Sequence, residues 1–395
     1  MLKIRFKNWL VILNVTVINF ILGSVYAWSE VKVHMIQLYG WSMGSLKPPF
    51  TVMIVMFVTA TLIGGRIQQK IKPDLISISG AILFGTGFIL TGLFPGFNTV
   101  VISFGIITGI GMGLCFSITI PSALRNLNNK NTGLVIGLVV SGIGLAPLYM
   151  DLLTNLLLEI FSVKYTFVVF GAFNMVSIIL LSVHLRIAGN KNLEYDSKIK
   201  HSEKKTIDIK WISLIRNRYF QVLWIIQLLV TFASLLVIGC LGSVAKVQIS
   251  WKAGFVLVII VSISNFFGRI LTGILSDYIN YRKLLFTVIL LQVLNIILFW
   301  SYSNILLMVM GIAITGLTFG CFFTIFPIAI LKNFGKVNFG FHFGILMTAW
   351  GAAVIFNSFL FRRFVIPVGT LNIPHLIALL YLFISLYMLR YLKQP

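Results

Sequence analysis

Apolar residues run along the chain in long blocks that are separated by short polar or basic segments. Each block has about the 20 residues that an α-helix needs to cross the hydrocarbon core of a bilayer. The pattern therefore predicts twelve membrane-spanning helices joined by short connections. Their predicted bounds are 9–28, 46–64, 76–94, 99–124, 133–157, 165–187, 219–242, 253–276, 284–301, 305–330, 341–361 and 372–391.

The composition excludes a soluble domain. Of the 395 residues, 58% are hydrophobic and only 10% are charged, and the mean hydropathy is +1.01. Such a chain has too little polar surface to cover a water-exposed globule. We therefore expect an all-α integral membrane protein. The N-terminal apolar run up to Ala27 could also be a cleaved signal peptide, but its length favours a first span.

The distribution of basic residues predicts the orientation. The net charge of +22 would suggest a nucleic-acid partner in a soluble protein, whereas here it follows the positive-inside rule. With both termini cytoplasmic, the inner segments and span ends hold 23 of the 31 Lys and Arg, the outer segments and span ends hold seven, and one lies deep within a span. We expect a multi-pass protein of the cell membrane with both termini cytoplasmic and no nucleic-acid partner.

A polar segment divides the chain near its middle. From Arg186 to Arg218 it carries nine Lys and Arg against four acidic residues, which is typical of a cytoplasmic linker. We predict an N-terminal six-helix bundle at 1–187, a linker at 188–218 and a C-terminal six-helix bundle at 219–395.

The two halves resemble each other. The Asn131 segment returns after 207 residues at Asn338, and Gly65 returns after 208 residues at Gly273. Corresponding spans keep the same order and orientation, which predicts two pseudo-symmetric bundles about an axis along the membrane normal. Such a repeat implies a cavity between the bundles near the midplane. The glycine-rich repeats favour close helix packing over a dinucleotide loop, because no strand precedes them.

A motif between predicted spans 8 and 9 connects the chain with a known family. The sequence Gly268-Arg269-Ile270-Leu271-Thr272-Gly273-Ile274-Leu275-Ser276-Asp277, followed by Arg282, resembles the signature of the major facilitator superfamily. Its first-half counterpart keeps Gly65 and Arg66 but has Gln69 where the family usually has an acid. The resemblance implies transport by alternating access and a cytoplasmic gate formed by Asp277, Arg282, Gly65 and Arg66.

Shorter motifs resemble one branch of that superfamily. Tyr26-Ala27-Trp28-Ser29, Gly268-Arg269 and the segment 344–351 are similar to the oxalate/formate antiporter-like branch, which is related to the monocarboxylate transporters. The resemblance implies a small organic anion as substrate. A dicarboxylate exchanger of this branch would carry a second cation in span 11, but 341–361 contains no Lys or Arg. We therefore expect a monocarboxylate.

Arg269 is the basic residue that the pattern places deep in a span. It precedes Asp277 by eight residues, which is about 12 Å along a helix. Even a lenient insertion scale assigns about 2.5–3.5 kcal/mol to this placement, so a function is expected. A guanidinium can bind a carboxylate with two parallel hydrogen bonds. The alternative is a structural role, in which Arg269 caps carbonyl groups of a neighbouring helix or stabilises Asp277 in the cytoplasmic gate.

Neutral polar residues on neighbouring spans complete the candidate site. Polar residues at helical spacing on span 8 form a stripe that we expect to line water. The candidate substrate-binding residues are Arg269, Asn265, Tyr26, Asn19, Gln227 and Trp350. Each neutral member could instead serve helix packing. The pattern shows neither a catalytic constellation nor metal-ligand spacing, so we expect no enzyme, metal site or cofactor.

The sequence therefore favours a monomeric secondary transporter of a small organic anion in the lipid bilayer. Exchange for a counter-anion and symport with a proton both remain open. Two alternatives are an efflux transporter of drugs or amphiphiles with the same fold, and a membrane sensor that does not transport.

Overall fold

The computed structural model describes residues 6–41, 47–125, 131–189, 211–251, 254–360 and 372–392. The described residues form helices and short connections, without a β-strand. Most of the predicted linker at 188–218 lies outside these ranges.

Twelve described helices are long and apolar enough to cross a membrane, which confirms the all-α fold with twelve spans. Most of their bounds lie within about four residues of the predicted ones, but the first span continues to Tyr39 instead of ending at 28, and the seventh continues to Ile249 instead of 242. Ten of the spans are single helices: α2 Lys47–Ile67, α3 Pro73–Leu93, α5 Thr132–Ile160, α6 Val163–Gly189, α7 Arg218–Ile249, α8 Gly254–Tyr278, α9 Tyr281–Phe299, α10 Ile305–Phe334, α11 Phe339–Leu360 and α12 Asn372–Met388.

Spans α1 and α4 are built from successive helical pieces. The pieces of α1 are Phe6–Leu22, the 3-10 turn Gly23–Ala27 and Trp28–Tyr39. The pieces of α4 are Phe97–Val100, the π-helical Val101–Thr108, Gly109–Ser117 and Thr119–Leu124. The break in α4 after Ser117 has a covalent reason, because Pro121 has no N–H to donate to the carbonyl four residues earlier.

The internal repeat is visible in the backbone. Asn131 and Asn338 both adopt the left-handed conformation, with φ of 64° and 59°. Each directly precedes a span, α5 or α11 respectively. Asparagine tolerates this conformation better than most residues because its short side chain can hydrogen-bond locally. The same residue therefore starts corresponding helices in the two halves.

Contacts divide the chain into two compact units. Unit 1 comprises Met1–Lys130, Tyr149–Lys210 and Ile330–Met347, and unit 2 comprises Asn131–Leu148, Trp211–Ala329 and Thr348–Pro395. In unit 1, α3 packs on α6 and α2 packs on α4. In unit 2, α12 packs on α7 and α9. The predicted bundle boundaries at 187 and 219 stay a prediction.

Small residues set the distance between helices in unit 1. A Cβ atom added at Gly85 of α3 would lie 2.6 Å from the carbonyl oxygen of Gly171 in α6. Close backbone approach of this kind is how helices gain packing energy in lipid. One turn along the same two helices, the fully buried rings of Phe88 and Phe167 contact each other, with centroids 5.9 Å apart.

Candidate functional site

The guanidinium group of Arg269 lies buried within α8, in unit 2. Only 3% of the residue is exposed. Its Nε donates a hydrogen bond of 2.7 Å to Oδ1 of Asn265, one turn earlier on the same helix. Its Nη1 donates to the carbonyl oxygen of Val140 in α5. Both acceptors are neutral, so these bonds orient the guanidinium without cancelling its charge.

An aromatic ring covers one face of this cation. Cζ of Arg269 lies 4.4 Å from the ring centroid of Phe323 in α10. Phe323 in turn meets Trp350 of α11 edge-on, with centroids 5.9 Å apart. A cation over a ring gains about 0.5–2 kcal/mol. Because the N–H groups lie in the guanidinium plane, the ring fixes that plane without competing for hydrogen bonds.

Glycines of α5 make room for Arg269. A Cβ atom at Gly144 would lie 3.0 Å from Nε of Arg269 and 3.0 Å from Oδ1 of Asn265. At Gly137 it would lie 2.6 Å from the carbonyl oxygen of Arg269. On the other side of α8, Thr324 donates a hydrogen bond of 3.2 Å to that same carbonyl. Helices α5 and α10 therefore enclose this part of α8.

The polar stripe of α8 does not line water in this conformation, contrary to the expectation from its spacing. All five members are buried: Ser262, Asn265, Arg269, Thr272 and Ser276. The physical reason is the glycine-lined surface of α5, which lets that helix lie directly against the stripe.

The other predicted substrate residues fall into both units. Gln227 of α7 and Trp350 belong to unit 2 with Arg269, and Trp350 joins the arginine through Phe323. Gln227 is buried, and its Oε1 accepts no hydrogen bond from the described residues. Asn19 and Tyr26 lie in α1 of unit 1, and their part in a substrate site stays a prediction.

The carboxylate of Asp277 caps the N-terminus of α5. Its two oxygens accept hydrogen bonds from the backbone N–H groups of Gly133, at 2.8 Å, and Leu134, at 3.0 Å. A negative charge at this position satisfies two backbone donors and complements the helix dipole. The backbones are close here, since a Cβ atom at Gly273 would lie 2.7 Å from the carbonyl oxygen of Gly133.

The same close approach occurs in unit 1 between α2 and α11. A Cβ atom at Gly65 would overlap the carbonyl group of Gly340. Beside it, Cζ of Arg66 lies 5.5 Å from the ring centroid of Phe341. Gly65 and Gly340 are the repeat counterparts of Gly273 and Gly133, so the repeat extends from sequence to helix packing. Unit 1 differs in having Gln69 at the place of the acid.

Arg282, the remaining predicted gating residue, lies at the start of α9 beside Tyr219 and Tyr281. Its Nε donates a hydrogen bond of 3.2 Å to the hydroxyl of Tyr281. Its role in gating stays a prediction. Within the described ranges, no group of three or more His, Cys, Asp or Glu is arranged to hold a metal ion.

Three participants in the Arg269 site were missed by the sequence reasoning. Phe323 is one of many aromatic residues in apolar spans, and the Val140 acceptor is a backbone carbonyl, so neither stands out in the sequence. Gly144 belongs to the glycine-rich repeats, which predict close helix packing but not a contact with the arginine. A glycine also stands at the counterpart position in the second half, Gly351. This shared glycine, taken with the position of Arg269, is a signal that α5 leaves room for a large side chain there.

Twelve apolar helices, an internal repeat and a buried cation in the eighth span together define a multi-pass membrane transporter. The sequence profile of the Major Facilitator Superfamily matches residues 8–356. The chain belongs to the Major Facilitator Superfamily, which is a family of transporters and not of enzymes.

Individual relatives agree with this assignment. The chain is 22% identical over 354 residues to the "Uncharacterized MFS-type transporter YhjX" of Escherichia coli (strain K12), covering 88% of this chain and 86% of that protein. It is 26% identical over 111 residues to Monocarboxylate transporter 12 of Mus musculus, covering 28% and 23% of the two chains. The crystal structure of FucP in the outward conformation superimposes with a TM-score of 0.72 at 11% identity, over 98% of this chain and 100% of that chain. This structural likeness establishes the fold alone.

Proposed function

We propose that the chain is a secondary active transporter that moves a small organic anion, a monocarboxylate, across the cell membrane by alternating access. Arg269 is the charge anchor for the substrate carboxylate. The local similarity to a monocarboxylate transporter and the short motifs of the oxalate/formate antiporter-like branch support this substrate class.

The observation that carries the proposal is the buried, pre-oriented guanidinium of Arg269. Its contacts include three neutral groups: the side-chain oxygen of Asn265, the carbonyl of Val140 and the ring of Phe323. A cation kept in the apolar part of a span is costly, by about 2.5–3.5 kcal/mol on the lenient scale. A substrate carboxylate that exchanges with the Val140 carbonyl would offset this cost through a charge-assisted bond.

The valence of the substrate follows from the charges available. Span α11 contains no Lys or Arg between Phe339 and Leu360. A dianion at Arg269 would leave its second charge in a medium of low dielectric constant, which is strongly unfavourable without a partner. The single positive charge of Arg269 is balanced by one carboxylate, so a monocarboxylate is the substrate that fits.

The two glycine-lined helix pairs supply a gate. We propose that α5 with α8, and α2 with α11, separate when the cytoplasmic side opens, and that Asp277 favours the closed form by capping α5. Gly65 and Arg66 belong to the α2 side of this gate, and Arg282 lies at the start of α9, just after the end of α8 that carries Asp277.

The orientation is part of the proposal, with both termini and the linker on the cytoplasmic side. Lys204 and Lys393, which lie outside the described residues, are convenient positions for single cysteines. An impermeant thiol reagent should label both only after the cells are permeabilised. Labelling of both cysteines in intact cells would show that the linker and the C-terminus lie outside, opposite to the proposed orientation.

Reconstituted vesicles test the substrate class. Vesicles loaded with single unlabelled carboxylates should show saturable counterflow of labelled pyruvate, lactate or formate. A pH gradient that drives uptake identifies proton symport, and dependence on internal anion identifies exchange. Resistance of cells to amphiphilic drugs without any carboxylate counterflow would favour efflux, and the absence of both would favour a sensor.

A further inference from the structure

Arginine and tyrosine side chains gather where α7 and α9 begin and α12 ends, three helices that pack together in unit 2. We call them the arginine–tyrosine cluster: Arg218, Tyr219, Tyr281, Arg282, Tyr387, Arg390 and Tyr391. The proposed transport function places Arg282 beside the gate but gives no role to the contacts between these arginines and tyrosines. The concentration of three positive charges at these helix ends needs a physical explanation.

The inner part of the cluster holds Arg282 in place. Its Cζ lies 5.9 Å from the ring centroid of Tyr219 and 6.0 Å from that of Tyr281, whose hydroxyls are hydrogen-bonded to each other. Its Nη2 atom is buried and has no hydrogen-bond acceptor among the described residues. Leaving a buried donor unsatisfied is energetically unfavourable. The fixed orientation and the unused donor favour an anionic oxygen as ligand.

The outer part of the cluster lies on the surface. Cζ of Arg218 lies 5.6 Å from the ring centroid of Tyr391, and Cζ of Arg390 lies 5.4 Å from that of Tyr387. The two tyrosine hydroxyls are 3.2 Å apart, and all four side chains are exposed. Exposed arginines that pack on rings keep their charge available to an external anion.

The helix ends add to the positive potential. Neither α7 nor α9 has an acidic residue in its first turn. The N-terminus of a helix carries a partial positive charge. An arginine is therefore unfavourable there, whereas a bound anion is favourable. Asn217 and Asn280 already cap the two helices through their side-chain oxygens. An anion bound here would balance the arginines and is not needed for capping.

We propose that the arginine–tyrosine cluster binds the phosphodiester headgroup of an anionic phospholipid. The cluster lies at the ends of apolar spans, where headgroups lie, and tyrosine is enriched at that interface. Arginine binds phosphate oxygens through two parallel N–H donors. In the proposed orientation the cluster faces the cytoplasmic leaflet, which carries anionic lipid. Arg282 contacts the phosphate, and Arg218 and Arg390 neutralise its charge from the surface.

Native mass spectrometry of the full chain, titrated with phosphatidylglycerol or phosphatidylcholine, tests this proposal. The parental protein should retain phosphatidylglycerol more tightly than phosphatidylcholine. Arg282→Gln should weaken phosphatidylglycerol binding at least tenfold, since a hydrogen bond to a charged group contributes about 1.5–3 kcal/mol, or roughly 10- to 150-fold. Arg282→Lys keeps the charge but loses the planar fork. Its affinity for phosphatidylglycerol should lie between those of the parental protein and Arg282→Gln.

Arg125→Gln is the matched control, because it removes one positive charge at the end of another span, α4. It should leave lipid binding unchanged. Equal binding by the parental protein and Arg282→Gln, or an equal loss in Arg125→Gln, would overturn the proposal. Displacement of the lipid by an equal concentration of inorganic phosphate would also overturn it in favour of a soluble phosphate ligand. Should Arg282→Gln fail to fold, Arg218→Gln carries the test: it should weaken phosphatidylglycerol binding about two- to fivefold, and binding equal to that of the parental protein would overturn the proposal.

Discussion

Nε of Arg269 donates a hydrogen bond of 2.7 Å to Oδ1 of Asn265, one helical turn away and equally buried in α8. The amide oxygen accepts this hydrogen bond without neutralising the guanidinium. An acid at this position would form an internal ion pair, and the cation would no longer be available to a substrate. In the proposed function, the neutral amide of Asn265 orients the guanidinium for a substrate carboxylate.

Asn265→Asp should abolish carboxylate transport by making this pair. The two charges would lie within hydrogen-bonding distance in a medium of low dielectric constant, where their attraction exceeds what a substrate could offer. Asn265→Ser is the control, because it keeps an oxygen acceptor without a charge, and it should retain measurable counterflow. Counterflow by Asn265→Asp at the parental rate would show that the guanidinium does not bind the substrate.

Asp277→Asn should slow turnover more than it weakens substrate binding. The change removes a charge that accepts two hydrogen bonds at the N-terminus of α5, so the closed form of the gate loses about 0.5–1.5 kcal/mol. We expect a reduction of the maximal exchange rate of about three- to tenfold with little change in KM. Asp277→Glu, which keeps the charge, should retain more of the rate. Unchanged exchange by Asp277→Asn in reconstituted vesicles would contradict the gate.

Gly273→Ala should hold α5 and α8 apart. The added Cβ atom would lie 2.7 Å from the carbonyl oxygen of Gly133, and a backbone atom cannot move aside without its helix. Alkylation of a cysteine introduced at Ser276, which is buried in this contact, should then become faster. Gly242→Ala is the matched control, because its Cβ atom would make an ordinary 3.6 Å contact with Leu257. Equal alkylation rates in both variants would mean that this helix pair does not open.

The fold could be predicted from the sequence because lipid imposes strong rules. A helix must satisfy its own backbone in the bilayer, so apolar length alone indicates a span. The repeat was visible because corresponding turns need the same residues, as Asn131 and Asn338 show by sharing the left-handed conformation. The burial of Arg269 followed from its distance to the end of its span.

The surroundings of Arg269 could be predicted only in part. Asn265 follows from the four-residue spacing on one helix, whereas Phe323 and Val140 lie on other helices, and their rotation about the helix axis is set by tertiary packing. The polar stripe shows the same limit. Its spacing identified one face of α8 correctly, but the sequence could not tell whether water or α5 lies against that face.

The most direct test of the central claim is the initial counterflow rate of labelled pyruvate in vesicles that contain equal amounts of parental, Arg269→Lys or Arg269→Gln protein. The lysine variant keeps the charge without the planar fork and should be strongly slowed. The glutamine variant should retain about 1% of the parental rate or less, because removing one partner of a buried ion pair costs about 3–5 kcal/mol. Unlabelled monocarboxylates should inhibit the parental protein better than oxalate does. Parental counterflow by Arg269→Gln, or stronger inhibition by oxalate than by every monocarboxylate, would contradict a single-cation carboxylate site at Arg269.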